Sequence, residues 1–261
     1  MTRSISAPEL LSLGPLRVRK VVSSDSADPR VHRRSGLTVV LLHGYGANGS
    51  DLVALVERID APAPTTFLFP EAPGRLDDLV LLNLVDDARV WWARDARRIQ
   101  RDVHGEHGGL ETTVFEDIAP ARSAVTEMLD ALDALDALEP EPGRRIVLGG
   151  FSQGAILALE VAMRDPRPLA GLVLLSGAIT DTELLTRMPA RRGLPVFQAH
   201  GTTDARLSFP AAERLRDAMT DAGMAVRFCP FEDGHGIPEI TSRQLGAWLC
   251  ELDRSELGAH D

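Results

Sequence analysis

The sequence predicts an α/β protein with a mostly parallel central sheet and helices on both faces. Short aliphatic and β-branched runs alternate with longer amphipathic segments from residue 37 onward, the order expected of strand-helix-strand units. The run at residues 37–42 is continuously aliphatic and β-branched instead of alternating with polar residues, as a strand covered on both faces should be. With 261 residues, 44% hydrophobic and 25% charged, the chain has the composition of a folded globular protein. No Gly/Ser linker or compositional break divides it, so residues 1–261 are expected to form one domain.

Leu16 to Val22 reads as a first short strand, and the polar stretch to residue 36 as an irregular connection. LTVVLL, residues 37–42, is a buried strand that runs into the loop HGYGANG. Residues 50–59 should be helical, with Ser50 as N-cap and Leu52, Leu55, Val56 and Ile59 on one face. Phe67 to Pro70 forms the next strand, and Val90 to Trp92 falls in an arginine-rich loop. Glu111 to Leu138 predicts a long helix ending in LDALDALDAL; a period of three drifts around a helix, so it is a partly buried acidic helix instead of a coiled coil. Strands follow at Arg145–Leu148, Gly171–Leu175, Leu194–Ala199 and Ala225–Phe228. Helices follow at Ala155–Met163, Phe209–Ala222 and Gln244–Leu252, with residues 255–261 as a frayed tail.

Charge removes several functions. With 38 acidic against 28 basic residues and a net charge of −10, the chain is no nucleic-acid binder, because such binding rests on Lys and Arg neutralising phosphates. Lys20 is the only lysine, so no P-loop lysine ends a glycine-rich loop. No apolar run approaches the ~18 residues of a membrane span, and the first twenty residues lack a signal-peptide core. A cytoplasmic protein without stable membrane insertion is expected, a monomer or homodimer. Cys229 and Cys250 are expected to remain thiols.

Two motifs compete for the chemistry. Gly44, Gly46 and Gly49 spell G-x-G-x-x-G between a strand and a helix, and Glu71 ends the next strand. That is close to a dinucleotide-binding fingerprint and would make the chain an NAD-dependent oxidoreductase. Against it, His43 intervenes after the strand, and Pro73 closely follows Glu71.

The second motif is Gly150-Phe151-Ser152-Gln153-Gly154, between a strand and a helix. There a sharp turn lifts the serine hydroxyl above the sheet edge. Serine needs a histidine base and an orienting acid, which in this arrangement follow it in the order acid, then histidine. After Ser152 come His200, His235 and His260. His260 is penultimate and His200 ends a strand, which leaves His235 in DGHG. Asp204, in HGTTDAR, leaves the preceding strand and is favoured as the acid over Asp181 and Asp233. The backbone N–H groups of Gln153, at a helix N-terminus, and Tyr45, in the glycine-rich loop, are the candidate oxyanion donors. No cofactor or metal is required. This reading uses both motifs, whereas the dinucleotide reading leaves Ser152, Asp204 and His235 unexplained.

With these residues assembled, the chain resembles the carboxylesterase and acyl-protein thioesterase family of α/β-hydrolases. The likeness runs from about Leu37 to about Leu249. It rests on LLHGYG, FPEAP, the pair Trp91 and Trp92, LGGFSQGA, HGTTD and the GH of DGHG. The resemblance implies an α/β-hydrolase fold, Ser152 as nucleophile, Asp204 as acid, His235 as base, Tyr45 and Gln153 as oxyanion donors, and no cofactor. It also puts Trp91 and Trp92 near the active-site mouth, lining substrate or filling core. The expected activity is that of a serine carboxylesterase on a small-molecule or lipid ester; the alternative is an acyl-protein thioesterase or lysophospholipase using the same triad.

Other polar groups have plainer roles. His43 is expected to be structural, because it precedes the serine. His104, Glu106 and His107 match no metal-site spacing, and Arg89, Arg94, Arg97, Arg98 and Arg101 form a solvated face paired with nearby acids.

Overall fold

A computed structural model of the chain describes residues 3–25, 36–75, 87–93, 118–138, 144–179 and 181–257. Arg94, Arg97, Arg98, Arg101, His104, Glu106, His107 and His260 lie outside them, as does the predicted start of the long helix at Glu111.

Among the described residues, nine strands form one sheet. They are β1 (Arg3–Ile5), β2 (Glu9–Leu13), β3 (Leu16–Asp25), β4 (Leu37–Leu42), β5 (Thr65–Pro70), β8 (Arg145–Phe151), β9 (Gly171–Leu175), β10 (Pro195–Gly201) and β11 (Ala225–Phe231). Gly74–Arg75 (β6) and Arg89–Val90 (β7) make a separate two-stranded ribbon. The main order is β1-β3-β5-β4-β8-β9-β10-β11, with β2 also on β3. From β5 to β11 every neighbouring pair is parallel, and β3 pairs antiparallel with β1, β2 and β5.

The predicted buried strands are present because their residues alternate between two apolar layers. Val40 and Leu42 face one layer with Leu148, Leu172 and Leu174. Val39 and Leu41 face the other with Phe67, Val147, Val173 and Phe197. Helices α1 (Ile118–Leu138) and α2 (Gln153–Arg164) cover the first layer through residues such as Val125, Met128, Ile156 and Leu159. The second is closed by Leu55 and Ile59 and by Leu245, Trp248 and Leu249 of the C-terminal helix. Helix α2 is buried at every position from Gln153 to Met163, as expected of a helix with partners all round. The chain also forms a short α3 (Glu183–Arg187), α4 (Phe209–Asp221) and α5 (Glu239–Leu257).

Three expectations need correction. The N-terminal segment holds three strands, not one: β2 and β3 form a hairpin pairing Leu13 with Leu16, and its turn begins at Gly14 with φ +53°. Residues 50–59 do not form a Ser50-capped α-helix. A 3-10 helix spans Val53–Glu57, while Asn48 Oδ1 accepts both the N–H and the hydroxyl of Ser50. Helical structure also continues to Leu257, into the expected frayed tail.

Candidate active site

The site is assembled at the C-terminal ends of β4, β8, β10 and β11. Leu42 and Gly150 are register partners, so the glycine-rich loop and the serine turn leave neighbouring strands side by side. Ser152 sits at φ +56° and ψ −116°, a region that non-glycine residues occupy only under constraint. The constraint is visible: its N–H donates to Leu175 O (2.9 Å), and its carbonyl accepts the N–H groups of Ala155 and Ile156. A Cβ at Gly150 would lie 2.5 Å from Gly154 backbone and 2.7 Å from Leu42 O, and one at Gly154 would overlap the Leu42 carbonyl. Both motif glycines are therefore steric requirements of the turn.

The last two parallel strands bring Asp204 and His235 together. Beyond β10 and β11 the two loops stay tied, with Thr202 N–H donating to Phe231 O (2.8 Å) and Thr203 N–H to Asp233 O (3.1 Å). His235 Nδ1–H then donates to Asp204 Oδ2 at 2.6 Å, and Ser152 Oγ–H donates to His235 Nε2 at 2.8 Å. The Phe151 ring packs on the imidazole, 4.9 Å between centroids. Asp204 is buried, which raises its pKa, but the bonds from His235 and from the Leu207 and Arg206 N–H groups prevail and hold its carboxyl below the ordinary range. Its other oxygen, Oδ1, accepts those two N–H groups at 3.0 and 2.8 Å. The rival acids are engaged elsewhere, Asp181 with Arg164 at 2.5 Å and Asp233 with the N–H of Gly234 at 2.7 Å.

Gln153 and Tyr45 lie on the two neighbouring turns. The Gly44–Ala47 turn closes through Ala47 N–H to Gly44 O (3.3 Å), with Gly46 at φ +78° as a type II turn requires. It is laced to β7 by Gly46 N–H to Arg89 O (2.9 Å) and Arg89 N–H to Ala47 O (2.8 Å). Tyr45 is half-buried against Ala88 and Val90. The Gln153 side chain reaches the same segment: Oε1 accepts Trp91 N–H (3.1 Å), and Nε2–H donates to Trp92 O (3.0 Å). Trp91 and Trp92 are only 4% and 5% exposed, within the core on that face of the sheet.

His43 is structural, as expected, and fully integrated. Its Nδ1–H donates to Gly44 O (2.8 Å), its Nε2 accepts Ala72 N–H (3.1 Å), and its carbonyl accepts the Trp91 indole N–H (2.9 Å). Burial pulls its pKa from 6.5 down to about 4, against the raising effects of the Gly44 carbonyl and Glu71.

The residues of the dinucleotide fingerprint do not fit that use. Glu71 is buried and ion-paired with Arg19 (2.9 Å), Arg17 (3.5 Å) and Arg89 (3.7 Å), so it is not free for a ribose hydroxyl. A Cβ at Gly49 would meet the Arg19 guanidinium at 2.6 Å and Glu71 Cβ at 3.2 Å; this glycine makes room for an ion pair. Arg89, expected on a solvated face, is paired with Asp87 and Glu71 but only 13% exposed in its side chain.

One residue set aside by its position proves close to the site. His200 lies at the end of β10, where expected, yet its Nε2 is 3.3 Å from Asp204 Oδ2. The spacing of four residues between His200 and Asp204 in HGTTD was the available signal.

A model of the phospholipase/carboxylesterase family matches residues 30–247. The chain belongs to that family. It is a serine hydrolase with the α/β-hydrolase fold. Acyl-protein thioesterase 1 of Neurospora crassa is 31% identical over 243 residues, covering 87% of each chain. Its counterpart from Mycosarcoma maydis is 28% identical over 235 residues, 85% of this chain and 93% of that protein. Among solved structures, esterase PE8 is 27% identical with a TM-score of 0.59, covering 83% of this chain and 93% of its own. A carboxylesterase from Mesorhizobium loti, 16% identical, shares the fold with a TM-score of 0.66 over 93% of this chain and 98% of its own. No helix among the described residues of this family member is long and apolar enough to cross a membrane.

Proposed function

We propose that this serine hydrolase cleaves acyl thioesters, in the manner of an acyl-protein thioesterase, through Ser152, His235 and Asp204. The observation that carries the reading is the continuous hydrogen-bond chain from Ser152 Oγ through His235 to Asp204 on a strained strand-to-helix turn. The thioester preference rests on the relatives named acyl-protein thioesterase 1, which favour it over the plain carboxylesterase expected from sequence.

His235 Nε2 takes the Ser152 proton as the oxygen attacks the acyl carbonyl, and Asp204 stabilises the imidazolium that results. The N–H groups of Tyr45 and Gln153 are assigned to the developing oxyanion. The thiolate leaves with the proton from His235. Water, deprotonated by the same imidazole, then splits the acyl-serine and returns the carboxylic acid. For Trp91 and Trp92, burial favours a framing role over contact with substrate.

Ser152→Ala is expected to cut turnover by about 10⁵ to 10⁶ without changing the thermal unfolding temperature by more than a few degrees. Thiol release from an S-acylated peptide, compared with phenol release from an oxygen ester of the same acyl chain, tests the preference. Undiminished turnover by the variant would remove the triad, and faster cleavage of the oxygen ester would return the enzyme to the carboxylesterases.

A further inference from the structure

We propose that His200 is a positioning residue for the acid: its Nε2–H holds the Leu207 carbonyl of the acid's loop and lies beside the carboxylate oxygen that His235 uses. The inference rests on the triad reading above.

His200 is wholly buried at the end of β10. Its Nε2–H donates to Leu207 O at 2.8 Å and lies 3.3 Å from Asp204 Oδ2. That oxygen also accepts His235 Nδ1–H at 2.6 Å. Leu207, whose carbonyl His200 holds, donates its own N–H to Asp204 Oδ1. One imidazole N–H therefore touches both ends of the loop that presents the acid.

The other ring nitrogen supplies the second observation. With Nε2 protonated, Nδ1 is a bare acceptor, fully buried and without a hydrogen-bond partner among the described residues. A buried unsatisfied polar atom is costly, and an aromatic hydrocarbon ring would fill the volume without one. Phe209, from the start of α4, already packs on this imidazole at 6.3 Å between centroids. What a histidine adds here, beyond volume, is the Nε2–H. The titratable groups facing it are Asp204, from its own loop, and His235, from the loop after β11; α4 presents the Phe209 ring.

The His200 N–H dipole, 3.3 Å from Asp204 Oδ2, offsets part of the carboxylate's charge, while its bond to Leu207 O fixes the loop. Removing the His200 N–H takes away that dipole and the Leu207 tie, so the carboxylate attracts the His235 imidazolium more strongly and can rotate. The imidazolium then persists to higher pH and gives up its proton less readily, so the chemical step slows while substrate binding does not.

His200→Phe keeps the ring volume and removes the donor. It should lower kcat about tenfold with KM within about twofold, and move the acid limb of the pH–kcat/KM profile upward by roughly half to one pH unit. His200→Gln, which carries an amide N–H, should bring the limb back toward wild type. A role in folding alone predicts reduced kcat with the limb unmoved, and that result overturns the proposal, as does a His200→Phe enzyme identical to wild type. If the phenylalanine variant does not fold, ¹⁵N NMR of the wild-type enzyme decides: the proposal requires the Nε2–H tautomer of His200 and fails if Nδ1 carries the proton. Fluorophosphonate labelling separates the two readings. Wild type unlabelled at Ser152 removes the triad and this inference with it, whereas labelled wild type with an unshifted His200→Phe profile removes only the inference.

Discussion

Acidification should weaken this fold through His43, far above the pH at which most carboxylates protonate. In the folded chain the ring must stay neutral, because Nδ1–H is committed to Gly44 O and Nε2 must accept the Ala72 N–H. Its pKa falls from 6.5 to about 4, chiefly through burial. Between those values the unfolded chain binds a proton that the folded chain does not, so stability rises with pH across the window. The contribution is complete above 6.5, is lost as pH falls toward 4, and is flat below. The whole span is worth roughly 3 kcal/mol, of which about 2 kcal/mol disappears between pH 7 and pH 5. The measurement is urea unfolding at both pH values for wild type and His43→Gln. The variant is less stable at pH 7, but its loss on acidification should be about 2 kcal/mol smaller than wild type's. His200, whose pKa burial also lowers, contributes in the same direction in both proteins and cancels in the comparison. Parallel pH dependences, or an NMR titration of His43 with a midpoint near 6.5, would refute the reasoning.

The remaining predictions concern the serine turn. Gly154→Ala places a methyl group against the Leu42 and His43 carbonyls, which are backbone and cannot rotate away; it should cost about 3 kcal/mol or more and show as a lowered melting temperature with little folded protein at 37 °C. Gln153→Glu sets a carboxylate oxygen against Trp92 O in place of an N–H donor. That variant should lose about 3 kcal/mol at neutral pH and recover part of it below pH 5, where a protonated carboxyl can donate again; equal stability at both pH values would show that the side chain does not hold the tryptophan segment.

The elements most legible in the sequence were those whose burial is complete. Leu37–Leu42 and Gly171–Leu175 fall at the predicted bounds, because every residue in them is apolar or enclosed. Strand ends are less legible: β10 continues through His200 and Gly201, and β11 through Phe231, where pairing with the neighbouring strand persists. The β2–β3 hairpin is weakly encoded although Gly14-Pro15 is a turn signal, since β2 is largely exposed and shows no buried run. Ser50 looked like a helix cap, but Asn48 two residues earlier took both of its polar groups. Ser152, Asp204 and His235, which the structure joins by hydrogen bonds, can be singled out in the sequence because a fixed chain order and a steric motif constrain the choice. The ties of Gln153 to Trp91 and Trp92, and of His43 to Ala72, join residues 29 or more apart. No local pattern encodes such pairs, since they depend on where separate loops come to rest.

The complete enclosure of α2 has a bearing on how this enzyme fails. A helix with one wet face can fray or swing while its domain stays folded, and a turn at its start would be lost by local opening. From Gln153 to Met163 no residue of α2 faces solvent, so the helix cannot loosen without parting the sheet from α1. Its amides belong among the slowest to exchange with solvent, and the loss of the Ser152 turn should coincide with global unfolding instead of preceding it.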